Sequence, residues 1–112
     1  MRTLTKRRDF LAANRGRRAA TDGFVLLLHD RRDDRPDVRV GYTVTKKIGN
    51  AVMRNRLKRR LRAAARTALP AVAPAGSDIV LIGRPGGLTR DFARLADDLA
   101  RAVPRALAKR QR

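Results

Sequence analysis

The chain has 112 residues and a formal charge of +18, from 28 Lys and Arg against ten acidic residues, all of them Asp. It contains no cysteine, which excludes a disulfide scaffold, a thiol nucleophile and a cysteine-ligated zinc site; its single histidine, His29, cannot build a histidine-rich metal site. A hydrophobic content of 43% supports one modest core, so residues 1–112 read as a single domain, and the excess charge repels itself unless a polyanion relieves it.

Residues 5–14 predict a first helix, with Thr5 as N-cap and Gly16 beyond its end. Phe10, Leu11 and Ala13 give it apolar surface among Arg7, Arg8, Arg15, Arg17 and Arg18. Residues 23–29 form a continuous apolar run, which reads as a strand covered on both faces. A charged loop follows over 30–37, then an alternating strand over 38–44 with one face covered. These two strands predict an antiparallel hairpin.

Asn50 is a good N-cap for a second helix that Pro70 should stop. Met53, Leu57, Leu61, Ala64 and Ala68 recur at spacings of three and four and make its apolar stripe. Asn55, Arg59, Arg62 and Arg66 project from the opposite side, with Arg54 and Lys58 on one edge and Arg56 and Arg60 on the other. After a Pro/Ala/Gly linker over 71–77, residues 78–83 read as a buried strand and 84–87 as its exit turn. Thr89 is the expected cap of a third helix whose apolar face is Phe92, Leu95, Ala96, Leu99 and Val103. Pro104 should kink or end it, leaving 105–112 as a frayed basic tail.

The order helix, strands, helix, strand, helix defines an α+β fold: a single small sandwich, one mostly antiparallel sheet with packed helices. The second helix would join a parallel pair of strands, for which a right-handed crossover is the rule. The N-terminus lacks the apolar run of a signal peptide and no stretch reaches transmembrane length. A cytoplasmic protein with no membrane association and no obligate protein partner is expected.

Between Asp37 and Asp78 there is no acidic residue, and residues 46–62 carry eight cations. Arg54, Arg56, Lys58, Arg59, Arg60 and Arg62 can neutralise closely spaced phosphates, and Asn55 can read a base edge or fix a neighbour. Lys46 and Lys47 stand just before the helix, where backbone N–H groups and the positive dipole end also attract phosphate. Nucleic acid is therefore the leading partner.

The pattern Arg39-x-Gly41-x-x-Val44-x-Lys46-Lys47-x-Gly49-x-Ala51-Val52-x-Arg54-Asn55-Arg56-x-Lys58-Arg59-x-x-Arg62 resembles the signature of the bacterial ribonuclease P protein subunit. The resemblance extends over most of the chain, from Arg7-x-Asp9-Phe10 through the strands to Ile79-Val80-Leu81-Ile82. It implies a left-handed crossover through the motif helix, against the usual rule, in a fold like the second domain of a small-subunit ribosomal protein. It also implies that an RNA subunit is the catalyst, using magnesium to cut the 5′ leader from precursor tRNA. The protein would contribute no catalytic residue and bind no cofactor or metal of its own. Its partners would be the ribonuclease P RNA and precursor tRNA.

On this resemblance Lys46, Lys47, Asn50, Arg54, Asn55, Arg56, Lys58, Arg59, Arg60, Arg62 and Arg66 are expected to bind the catalytic RNA. Arg7, Phe10, Asn14, Leu27, Arg39 and Tyr42 are expected to bind the leader. Asn14 and Leu27 occupy positions where relatives often carry aromatics, so the stacking platform looks reduced, and Phe24 and Phe92 are assigned to the core. Composition alone also fits a structural rRNA-binding protein of the ribosome, and more remotely a DNA-compacting protein; only the 46–62 signature separates these readings. The neighbouring carboxylates Asp33-Asp34 and Asp97-Asp98 read as solvated, and Gly83-x-x-Gly86-Gly87 lacks the Lys of a phosphate-binding loop.

Overall fold

The computed structural model describes residues 1–109. Its two apolar runs become the two longest strands and lie side by side. The strand Phe24–Asp30 (β3) pairs antiparallel with Ser77–Gly83 (β5), from Phe24 opposite Gly83 to Asp30 opposite Ser77. Arg39–Thr43 (β4) runs parallel to β5 on its other side, with Tyr42 opposite Leu81. Two short edge strands complete the sheet: Arg2–Thr3 (β1) parallel to β4, and Arg17–Ala20 (β2) antiparallel to β3, in the order β1-β4-β5-β3-β2. The longest pairing, β3–β5, is antiparallel, and the parallel β4–β5 pair is bridged by the motif helix as expected.

The predicted hairpin between β3 and β4 does not form, because β5 inserts between them. Ile79, Val80 and Leu81 are buried on both faces and so take the central position. The edge strand β2 was not visible as a strand, since Arg17-Arg18-Ala19-Ala20 has no β-forming signal of its own. Its pairing is set by Ala19, buried opposite Leu26.

Two helices cover one face of the sheet: α2 (Ala51–Val72) and α3 (Phe92–Ala108). There Phe24, Leu26, Ile79 and Leu81 meet Leu57, Leu61, Leu69, Leu95, Leu99 and Val103 in the main core. Fully burying each such side chain contributes roughly 1.5–3 kcal/mol. The other face carries only the short helix α1 (Arg7–Ala13) over a small cluster of Leu4, Ala13, Leu27 and Val80.

Helix boundaries differ from the sequence expectation in instructive ways. The N-cap of α1 is Lys6, with no side-chain bond, and that of α3 is Asp91, whose carboxylate accepts from Arg94 N–H; Thr5 and Thr89 do not cap. Pro70 does not stop α2. It removes one N–H, but the Ala73 N–H still reaches the Leu69 carbonyl at 2.8 Å and Val72 and Ala73 pack on the core. Pro104 lies on the exposed side of α3, and the burial of Val103 and Ala106 carries that helix to Ala108. Thus 105–108 are helical rather than frayed, while 110–112 lie outside the described residues. Met53 and Phe92, assigned to apolar faces, are exposed, and Ala65 and Leu69 join the buried side of α2 instead.

Candidate nucleic-acid interface

The cationic surface begins at a short 3-10 turn, Lys46–Ile48, that buries Ile48 and leaves Lys46 and Lys47 exposed. Gly49 ends the turn at φ +144°, a conformation that side chains rarely adopt. Asn50 then caps α2 as expected, its Oδ1 accepting from the Met53 N–H at 3.0 Å. No acidic residue occurs anywhere in the helix. Burial of Leu57, Leu61, Ala64, Ala65, Ala68 and Leu69 turns Asn55, Arg56, Arg59 and Arg66 outward, while Arg54, Lys58 and Arg62 are half-buried at its flanks. Val52, Asn55, Lys58, Arg59 and Arg62 line an open groove along this face. Four of its five lining positions repeat at spacings of three and four, the pitch that places them on one side of a helix.

Two expected contacts fall elsewhere. Arg60 turns inward: its Nε donates to the Gly87 carbonyl at 2.9 Å, and its Nη2 donates to the Arg90 carbonyl. That guanidinium is occupied in joining α2 to the turn before α3. Tyr42 faces α2 rather than α1, with the Arg62 guanidinium 5.4 Å from its ring centroid. Burial pushes its hydroxyl above the usual tyrosine range, against a smaller opposite pull from Arg62 and Arg66. Tyr42 therefore supports the cationic groove and does not share a surface with Phe10.

On the opposite face the register arranges β-sheet side chains in three rows across the strands. In the middle row, Leu27, Val80 and Gly41 are buried beneath α1. The Phe10 ring lies so close over Gly41 that an added Cβ would sit 2.6 Å from it. One outer row, Ala20, Val25, Ile82 and Thr43, is only partly covered. Arg7, Phe10, Leu11 and Asn14 share the side of α1 next to it by their three- and four-residue spacing. The result is an apolar strip bordered by Arg7, without an ion pair among the described residues, and by Arg18 on β2.

The other outer row is polar: His29, Asp78 and Arg39. Arg39 is held by Asp78 and Asp9, so it stands across α1 from the strip and is not free for a leader. Leu27, at 2% exposure, is under the helix and not on any surface. Sequence reasoning missed Val25, Ile82 and Thr43. Their parity with Leu27, Val80 and Gly41 is legible, but only once the register is known.

The whole described structure superimposes on proteins of one kind. The ribonuclease P protein of Staphylococcus aureus matches over 100% of this chain and 99% of its own, with a TM-score of 0.76 at 26% identity. That of Thermotoga maritima matches over 94% and 97%, with a TM-score of 0.77 at 32% identity. The ribonuclease P protein component of Erythrobacter litoralis is 53% identical over 103 residues, 92% of this chain and 84% of the relative. The Ribonuclease P family model spans residues 1–107. The chain belongs to the ribonuclease P protein family.

In this ribonuclease P protein the paired aspartates are largely engaged with arginine. Asp33 is bonded by Arg31, Asp97 by Arg101 and Asp98 by Arg90. No cluster of three or more His, Cys, Asp or Glu suited to a metal occurs among the described residues, and no helix there is long and apolar enough to cross a membrane.

Proposed function

We propose that this ribonuclease P protein binds the RNA subunit along α2 and the 5′ leader of precursor tRNA along the strip beside α1, in the cytoplasm where tRNA matures. Cleavage belongs to the RNA, with magnesium held by that RNA; the protein holds two strands at once. The acid-free cationic face of α2 lies on one side of the sheet and the half-open apolar strip on the other. That separation is the observation that carries the reading, because one small domain then keeps two polyanions apart while touching both. Arg54, Asn55, Arg56, Lys58, Arg59, Arg62 and Arg66, with Lys46, Lys47 and Asn50 at the helix start, form the RNA side. Arg7, Phe10 and Asn14 with Val25, Ile82 and Thr43 form the leader side. With Phe10 as its one ring, the strip gives stacking to a single base, worth on the order of 1–3 kcal/mol, and apolar packing to its neighbours.

The test mixes the protein with a bacterial ribonuclease P RNA and precursor tRNA at a magnesium concentration too low for the RNA alone. Restored cleavage at the mature 5′ end is the expected result. Tight RNA binding without stimulation would overturn the proposal and favour a purely structural RNA-binding role.

A further inference from the structure

The polar row has no place in either binding surface, yet it decides where α1 sits. Asp78 is 1% exposed. Its two oxygens accept from Arg39 Nε and Nη2 at 2.8 and 2.7 Å, and Oδ1 also accepts from Arg31 Nη1 at 2.9 Å. A bidentate carboxylate fixes the plane of a guanidinium, so the direction of the third Arg39 nitrogen is fixed too. That nitrogen, Nη1, lies 3.4 Å from Asp9 Oδ2. It is the one ion pair between α1 and the sheet among the described residues. Arg31 secures the far end, donating to the backbone carbonyls of Ser77, Arg35 and Asp37.

The helix needs such an anchor. It has seven residues and no side-chain N-cap, too few to persist on intrinsic propensity, and the cluster beneath it is small. Asp9 lies on the side of α1 facing the polar cavity of about 390 Å³ that Ala12, His29, Arg39 and Asp78 also line. Phe10 and Asn14 lie on the other side. Rolling the helix about its axis would move both flanks together.

We infer that Asp9, Arg39 and Asp78 are positioning residues for leader binding. Their chain of ion pairs sets the roll of α1, and with it the gap between Phe10 and the Val25–Ile82 strip. This rests on the leader reading above.

The experiment compares precursor and mature tRNA affinity in the reconstituted holoenzyme for Asp9→Asn, Asp9→Glu and Phe10→Ala, with RNA-subunit affinity measured alongside. Asp9 is chosen because Asp78→Asn threatens the fold. Removing a carboxylate by itself strengthens attraction to RNA, so a loss in Asp9→Asn reports geometry and not charge. The expected result is a fall of about fivefold in the preference for precursor, the scale of one partly exposed ion pair, with RNA-subunit affinity unchanged and Asp9→Glu close to wild type. A loss in Phe10→Ala without one in Asp9→Asn overturns the positioning role and leaves the strip reading standing. No loss in either overturns both. Equal falls in RNA-subunit and precursor affinity make Asp9 a general fold contact and also overturn the role.

Discussion

The two faces of the sheet differ in how they are closed. Against α2 and α3 lie more than a dozen fully buried apolar side chains and no charge. Against α1 lie four buried apolar residues, a half-open strip and a carboxylate at 1% exposure bonded to two arginines. The first face holds the domain together and leaves the outside of α2 exposed and cationic. The second is deliberately under-packed, since a fully covered sheet would leave no strip, and it replaces apolar area with directional ion pairs. The larger share of apolar burial and the half-open strip thus lie on opposite sides of one five-stranded sheet.

That contrast can be broken. Asp78→Asn should have the largest effect, about 3–5 kcal/mol of stability, because two arginines lose their buried partner. Leu61→Ala, in the opposite core, should cost about 2–5 kcal/mol. Urea unfolding of both variants checks this, and a negligible loss for Asp78→Asn would make the ion pairs dispensable and the small face purely apolar in its energetics.

A finer comparison lies within α2. Arg60→Ala should cost about 1–3 kcal/mol by leaving two backbone carbonyls unpaired, with little change in RNA affinity. Arg59→Ala should leave stability within about 0.5 kcal/mol and weaken RNA binding, reducing its salt slope by about 1. Paired melting and salt-dependent binding measurements would show whether the two cations separate.

The smallest effect concerns Tyr42, the only tyrosine. Burial on the α2 side raises its ionisation above the ordinary 10.0. Proton binding is therefore tighter in the folded state, and the associated stability is present below 10.0 and declines as pH rises through the shifted value. Ultraviolet titration should place the native midpoint above that of the denatured chain. Coincident midpoints would move Tyr42 out to an open surface.

Much of this was legible in the residues. The Asn50 cap, the stripe from Leu57 to Ala68, the two apolar strands and the acid-free stretch all follow from local chemistry, and all are found. What was not legible depends on partners distant in sequence. The Arg17–Ala20 strand exists because Leu26 lies beside it, and the β3–β4 hairpin fails because a later strand has a stronger claim on both neighbours. Arg39, Arg60 and Tyr42 read as binding residues because a cation or ring at a motif position looks free until its acceptor is known. Leu27 and Val25 share one face of the strand and differ only in which row α1 covers, which depends on where that helix lies and not on anything local. Pro70 and Pro104 show local rules overridden by packing at helix ends.

The place of β5 has a consequence for the order in which the chain can fold as it is made. Its neighbours β3 and β4 both precede α2 in sequence, whereas β5 follows it. Until residues 77–83 have been synthesised, the slot between β3 and β4 is empty and both strands present unpaired edges. By then the whole of α2, with its cations, has already emerged. The nascent chain therefore offers its most cationic helix before it has a complete sheet to hold it, so a polyanion met at that stage would neutralise the helix while the last central strand is still to come.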